Sequence, residues 1–501
     1  MKDQSLWRGH DRPRFPSTPL PNEVDVVIVG GGISGLTAAY LLKRAGKRVL
    51  VLEKDRIGTG ETGNTSAHLT YVTDARISEL SKTFGREAAR RVWEGGAAAI
   101  DLIESITSQP SVACGFRRVP GFLCSPFLTD SDQSRALRDD ATLAAEMGFS
   151  ARYVEAGPIT GKPAISFADQ AIIHPLDYLS GLALAVDGNG SFVREECEVG
   201  HVIQDPLAVI VNGENIACTD VFIATNVPLM GAASLLGATL LQTKIYPYSS
   251  YVMGGRIDSS LAPGLYSDTN DPYNYLRVHE DQIGPYAIFG GEDHKTGQAS
   301  DTKARFDRLE AEFKRVVPSV RIERRWSGQV VETDDGLPFI GQTADHQYAA
   351  TGYAGNGLTF GTLAGMMVHD AILGRPNPLR ELFDPNRKAK SAGSIVAYIT
   401  ENVDFPLYFV ADRLRPSPND GIESITRGDG KVLKIDGQRV AVHKTNSGKV
   451  LKVSAVCTHM GCIVRWNGAE KTWDCPCHGS RFTPEGQVLG GPAEAPLEPV
   501  E

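Results

Sequence analysis

Two short apolar runs, Val26–Val29 and Val49–Leu52, bracket a stretch, Ile33–Arg44, whose apolar residues recur at helical spacing. Runs without polar alternation predict strands buried on both faces, and the 3.6-residue recurrence predicts a helix between them that stops at Gly46. Strand, glycine-rich turn, helix, strand is one βαβ unit. Farther along, the pattern predicts helices over Gly85–Ile106, Ser131–Met147 and Tyr178–Asp187, and a charged amphipathic helix over Asp301–Val317. Strands are expected at Val209–Val211, Val221–Ala224 and the aromatic-rich Tyr246–Met253. Tyr348–Thr351, a glycine turn and Leu358–Leu373 repeat the strand–turn–helix theme. This alternation predicts a Rossmann-like α/β nucleotide-binding domain interleaved with a mixed-sheet substrate domain.

The texture divides the chain. Residues 1–22 are polar and proline-rich and read as an arm on the surface; the main body spans 23–384. Proline and charge then dominate, and a linker is placed at 385–418. Beyond it, short strand-like segments and glycine turns predict a small all-β domain over 419–501. A length of 501 residues is too great for one ordinary core, consistent with this division. The formal net charge of −9 argues against a nucleic-acid partner, whose phosphates reward clustered Lys and Arg. No run reaches the roughly 20 apolar residues of a transmembrane helix. The first residues lack the apolar centre of an export signal, so the protein reads as cytoplasmic.

Candidate chemistry begins at Gly30-Gly31-Gly32-Ile33-Ser34-Gly35, a G-x-G-x-x-G motif that follows a strand and opens a helix. Glu53 ends the next strand, where an acidic side chain accepts hydrogen bonds from ribose hydroxyls. Gly30 permits the tight turn, Gly32 lets the backbone approach a pyrophosphate, and Gly35 lets the helix pack on the strand. The helix N-terminus offers free N–H groups to phosphate. The motif alone does not distinguish FAD from NAD. A second Gly/Thr-rich loop follows at 58–66, including Thr62, Thr65 and Ser66. A late turn, Gly352-Tyr353-Ala354-Gly355-Asn356-Gly357-Leu358-Thr359, opens another helix. Together with Ala224-Thr225-Asn226, these segments resemble the D-amino-acid dehydrogenase/glycine oxidase-like flavoproteins over roughly Val24–Leu373. The resemblance implies FAD, with the first loop on its phosphates, the second approaching the flavin, and Gly355–Thr359 aiming a helix N-terminus at the flavin's pyrimidine side. Only one G-x-G-x-x-G occurs, which argues against NAD(P)H as electron donor. His68 follows the second loop; some relatives attach flavin through His, and the plainer reading is a polar residue beside the cofactor.

Eight cysteines divide into a scattered four (Cys114, Cys124, Cys197, Cys218), read as small buried hydrophobes, and a terminal four. Cys457-Thr458-His459 and Cys475-Pro476-Cys477-His478 stand fifteen residues apart. One Cys and one His from each box match a Rieske [2Fe–2S] centre, with Cys457 and Cys475 on one iron and His459 and His478 on the other. Zinc is the alternative, but structural zinc sites usually begin with C-x₂₋₄-C. Cys462 and Cys477 match the disulfide pair of high-potential Rieske proteins, so the resemblance implies a bridge between the ligand loops. Ser480 matches the hydroxyl donor to a cluster sulfur. Phe482 stands where those proteins often carry Tyr, which implies a somewhat lower potential within about −150 to +300 mV. A flavoprotein followed by this C-terminal domain resembles the bacterial YhfW-type family over nearly the whole chain.

A flavin accepts two electrons as hydride, and a Rieske cluster carries one at a time. The expected activity is therefore dehydrogenation of an amine or amino acid, with electrons passing from FAD through the cluster to an external acceptor, a protein or a quinone. The cofactor does the chemistry and the protein orients it. Tyr246, Tyr248 and Tyr251 either wall the substrate pocket or fill a core. Arg277 either pairs with a substrate carboxylate or lies on the surface. Gly290–Lys295 reads as a polar, glycine-backed stretch in which His294 faces the flavin or sits in a plain loop, and His174 marks a domain junction. Tyr248, Arg277 and His294 are the catalytic candidates. A partner-fed electron-transfer protein and a biosynthetic redox enzyme not acting on amines remain rival readings.

Overall fold

The computed structural model describes residues 2–9, 11–228, 241–242, 244–258, 261–387 and 421–500. Most of the expected linker, from 388 onward, lies outside them. Residues 385–387 belong to the body instead: Arg387 is buried and ion-paired to Asp335 at 2.7 Å, with a further bond to the Pro338 carbonyl.

The nucleotide-binding layer is a six-stranded sheet in the order Phe339–Ala344, Gln347–Thr351, Asp220–Ile223, Val26–Val29, Val49–Leu52, Phe192–Arg194. All neighbours are parallel except the antiparallel Phe339–Ala344 edge. Val26–Val29 and Val49–Leu52 are buried at every position because helices and a small three-stranded sheet cover the two faces. The turns at Gly30, Glu53, Ala224 and Gly352 all leave the carboxyl ends of these strands, the rim where such sheets bind ligands.

The second layer is a ten-stranded mixed sheet in which Ile245–Arg256 lies third from one end, between Arg321–Thr333 and Pro285–Lys295. Gly290–Lys295 is therefore strand rather than loop; its two glycines lie where it pairs with Ile245–Arg256, beside a register shift. The helix expected from Tyr178 starts at Pro175, where proline suits a first turn and His174 accepts the Asp177 amide at 3.2 Å.

The N-terminal arm is more than a surface strap. Trp7 is 2 % exposed and donates its indole N–H to the Thr65 carbonyl at 2.6 Å. Ser5 bonds the Gly63 carbonyl, and Arg12 the Ile57 carbonyl. The arm thus clamps the 57–65 loop from behind. Its polar composition disguises this role, because the contacts are side chains reaching backbone.

The C-terminal domain pairs a three-stranded antiparallel sheet, Asp429–Ile435, Gln438–Lys444 and Val450–Ser454, with a four-stranded one from Arg465–Asn467 to Val488–Gly490. Trp473, Phe482 and Val464 fill its core. No helix among the described residues is long and apolar enough to cross a membrane.

Candidate active site and metal centre

A cavity of about 1140 Å³ runs along the carboxyl rim of the parallel sheet and under the mixed sheet. It exceeds the common range for small-ligand pockets, about 300–1,000 Å³, as space for a dinucleotide plus a substrate would. Gly30, Gly32, Ser34 and Glu53 border one end. Thr62, Thr65, Ser66 and His68 border its flank, and Gly355, Asn356, Gly357 and Leu358 its far side. Gly35 and Thr359 stand behind this lining. A Cβ on Gly35 would sit 2.1 Å from the Gly30 carbonyl oxygen, so the helix approaches the strand only with glycine there. Thr359 packs its methyl towards Gly96.

The cradle fits FAD. Gly30 has φ +112°, and the helix at Ile33–Arg44 starts without a cap from its own N-cap residue; the Ile33 amide donates to the Thr62 hydroxyl at 3.2 Å, and the first turn beyond it faces the phosphate space. Glu53 accepts the Gly31 amide at 2.8 Å and the Asp55 amide at 3.0 Å, which holds its carboxylate at the cavity edge. Ser34 and Tyr353 join their hydroxyls at 2.9 Å, tying the first turn to the late one. Asn356 anchors the late turn by donating to the Val72 carbonyl at 2.9 Å. Burial, with the charge of Arg277 adding, pushes His68 down to about 3, so its imidazole is neutral beside the cofactor space.

The catalytic candidates do not meet in this cavity. Arg277 is buried and donates to the carbonyls of Ala67 at 2.8 Å, Ile173 at 3.1 Å and Ser66 at 3.3 Å, with Trp7 lying over it at 5.0 Å. It is an internal strut, not a substrate clamp. His294 turns its ring edge to Tyr251, 5.1 Å away, on the far side of its strand from the cavity. Tyr251 stacks on Phe306 at 3.9 Å in the core. Tyr248 pairs in register with Lys295 and Val330, and neither it nor Tyr246 borders the cavity.

Other side chains take that place. Asp74 accepts the Gly355 amide at 2.6 Å and the Tyr273 hydroxyl at 3.3 Å. Asp293, Ser250 and Tyr275 border the same space, and Ser250 and Tyr275 join their hydroxyls at 3.0 Å. The usable signal was the alternation Glu292, Asp293, His294. Glu292 is occupied by Arg305 and Arg308 on the outer face, which leaves Asp293 facing inward.

The C-terminal domain supplies the metal centre. Cys462 and Cys477 form a disulfide, which takes those sulfurs out of ligation and leaves the Cys457 and Cys475 thiols. The His459 and His478 rings lie edge to face, centroids 4.9 Å apart, with both Nδ1 atoms buried. His459 Nδ1 has no hydrogen-bond partner among the described residues, as a metal-directed lone pair requires. A hydrogen bond from Cys475, the amides of His459 and Met460, and the Ser480 hydroxyl together pull Cys457 down to about 7 against the effect of burial. Donors around a thiolate of this kind suit a Rieske [2Fe–2S] cluster held by two Cys and two His.

This domain is docked on the flavoprotein body at the ligand loops. Gln329 borders the cavity, takes a bond from its backbone amide to Glu61 at 2.7 Å, and reaches the Gly479 carbonyl with its side chain at 2.9 Å. Gln298 donates to the Pro476 carbonyl at 3.0 Å, and Ser327 bonds Glu470. A Cβ on Gly297 would lie 2.7 Å from the Cys475 carbonyl carbon, so the two backbones touch there. Gly490, Gly491 and Glu494 of the small domain border the large cavity itself.

Residues 25–371 match the FAD dependent oxidoreductase (DAO) family, and residues 419–501 match the Rieske [2Fe-2S] domain. The chain belongs to the DAO family. It is an FAD-dependent oxidoreductase with a C-terminal Rieske domain, and its cofactors are FAD and a [2Fe–2S] cluster. Over 99% of its length it is 29% identical to the Rieske 2Fe-2S iron-sulfur protein YhfW of Bacillus subtilis, of which it covers 97%. Over 70% of its length it is 26% identical to the gamma-glutamylputrescine oxidoreductase of Escherichia coli, of which it covers 84%. The crystal structure of glycine oxidase from Geobacillus kaustophilus superposes with a TM-score of 0.61 at 20% identity, over 74% of this chain and all of that one. The glycine oxidase-like fold expected from the loops is thus observed.

Proposed function

We propose that the protein dehydrogenates an amine or amino acid by hydride transfer to FAD and passes the electrons singly through the Rieske cluster to an external acceptor, a protein or a quinone. The shared wall between the two sites carries this reading. Gln329 borders the flavoprotein cavity and bonds the carbonyl of Gly479, next to the ligand His478. The relatives lend support, since they include proteins named for oxidising amines and amino acids.

Within the chain, Gly30–Gly35 and Glu53 would hold the dinucleotide, and Cys457, His459, Cys475 and His478 the cluster. When bound, FAD supplies a two-electron acceptor and the cluster a one-electron carrier. The residues around them serve to position them. Asp74 and Asn356 fix the late turn against the cavity. Gly490 and Gly491 of the small domain border one side of the cavity. The reading places the enzyme in the cytoplasm.

The test is an anaerobic panel of amines and amino acids on the holoenzyme, followed by a one-electron acceptor such as ferricyanide. Substrate-dependent flavin bleaching and acceptor reduction are expected. Bleaching by dithionite alone would set the amine reading aside in favour of a partner-fed redox protein.

A further inference from the structure

We infer that the substrate is a cationic amine with no carboxylate on its reacting carbon, and that Asp293 binds its ammonium group and accepts its proton. This rests on the dehydrogenase reading and narrows it to a substrate class.

The cavity wall around Asp293 is acidic and phenolic. Asp293 Oδ1 is buried and has no hydrogen-bond partner among the described residues, and the Ser250 hydroxyl lies close enough to favour the ionised carboxylate. Asp74 is near enough for its charge to act on Asp293, and Tyr273 and Tyr275 lie near both. Tyr273 lies so close to the late turn that a Cβ on Gly355 would meet its hydroxyl at 2.4 Å. The acids therefore border the turn that opens the second helix.

Among the described residues, cations bordering the cavity do not balance these acids. Lys54 follows Glu53 at the opposite, dinucleotide-motif end. Arg76 is ion-paired to Asp140 at 2.5 Å, which neutralises its corner although its buried Nη2 makes no hydrogen bond. Arg277 lies outside the lining and gives its Nη1 to three carbonyls, although its buried Nε makes no hydrogen bond among the described residues. His68 is neutral. An α-carboxylate placed beside Asp293 and Asp74 would be desolvated among acids with no cation to pair it, whereas an ammonium would satisfy the orphaned Oδ1.

Proton handling follows from the same geometry. Burial, with the charge of Asp74 adding, raises Asp293 to about 7 against the hydrogen bond from Ser250. A base so poised suits a proton acceptor at neutral pH. The N–H bond of the substrate ammonium breaks as an O–H bond forms on Asp293 Oδ1. The freed nitrogen lone pair then closes a C=N bond as the C–H electron pair leaves as hydride, for which bound FAD is the oxidant.

The experiment compares matched pairs on the anaerobic holoenzyme: 1,4-diaminobutane with ornithine, 1,5-diaminopentane with lysine, and pentylamine with norleucine. Binding is read as a rise in melting temperature, and oxidation as flavin bleaching. In each pair the amine is expected to bind at least 10-fold more tightly than its amino acid. Asp293→Asn should lose that binding by at least 10-fold with its flavin spectrum intact, and Asp293→Glu should retain part of it. Tighter binding of the amino acids, or amine binding indifferent to Asp293→Asn, would overturn the inference. Asp293-dependent amine binding without bleaching would leave the ligand class standing and remove the dehydrogenase reading. No binding by any amine would remove this inference while leaving other substrates open to that reading.

Discussion

Gln242 of the flavoprotein body accepts a hydrogen bond from Nε2–H of His459, the proposed cluster ligand, at 3.0 Å. Gln242 donates its own amide N–H to the Pro228 carbonyl at 2.7 Å, which leaves only its oxygen to face the imidazole. The proton is thereby fixed on Nε2 and the lone pair on Nδ1, the side a metal needs. One bond thus sets the ligand's tautomer and fastens the small domain to the large one.

Replacing Gln242 with Leu should loosen that docking. A hydrogen bond of about 1 kcal/mol corresponds to roughly 5-fold in the docking equilibrium constant, which sets the upper bound on the slowing. Stopped-flow reduction of the cluster after the flavin should slow by up to that factor, with both cofactors retained. An unchanged rate would show that Gln329, Gln298 and the Gly297 contact hold the interface by themselves.

Glu53 accepts two backbone amides, one of them within the phosphate turn. Glu53→Gln keeps the size and removes the charge. Hydrogen bonds to charged groups are worth about 1.5–3 kcal/mol, so titration of the apoprotein with FAD should show a Kd raised about 10- to 100-fold. The [2Fe–2S] spectrum should be unaffected.

The Cys462–Cys477 bridge spans a sequence separation of 15 residues and ties together the two ligand loops. Closing such a loop is worth about 3 kcal/mol. The double variant Cys462→Ser/Cys477→Ser should lower the melting temperature of the C-terminal domain and hasten loss of the cluster absorbance, while flavin content stays the same.

The pH dependence should show one limb from Asp293, raised to about 7 by burial. As proton acceptor it works ionised, so kcat/KM for an amine should rise as pH climbs through about 7 and lose that limb in Asp293→Asn. Asp74 and Glu292 push it up and Arg305 pulls it down, Asp74 is itself raised by burial, and Tyr275 is held protonated by burial. His68, near 3, adds no second limb. The stability sign is opposite. A folded-state pKa above the free carboxyl value favours the protonated fold, so this contribution is full at low pH and is lost as pH rises through about 7.

Much of this arrangement was legible in the chain. The spacing Cys457, His459, Cys475, His478 pointed to the Rieske domain that the C-terminal residues match, because boxes from two tight turns are local in sequence. Gly30–Gly35 and Glu53 identified the dinucleotide end for the same reason. Asp293 and Asp74 were not legible as a pair. They come from distant segments, and only the folding of one sheet over the other brings them together. Arg277 and His294 misled because a charged or titratable side chain in a strand reads the same whether it faces a cavity or the opposite side. Trp7 was hidden within a polar arm whose partners are backbone carbonyls, which carry no sequence signal.

The central claim is that flavin and cluster are joined electronically within one chain. The measurement is rapid-freeze electron paramagnetic resonance on the anaerobic holoenzyme after mixing with an amine that bleaches the flavin. The account predicts a reduced Rieske signal growing in as electrons leave the flavin, and none in Cys475→Ser, whose flavin still bleaches. A bleached flavin beside a cluster that stays oxidised, although dithionite reduces it, would contradict the account.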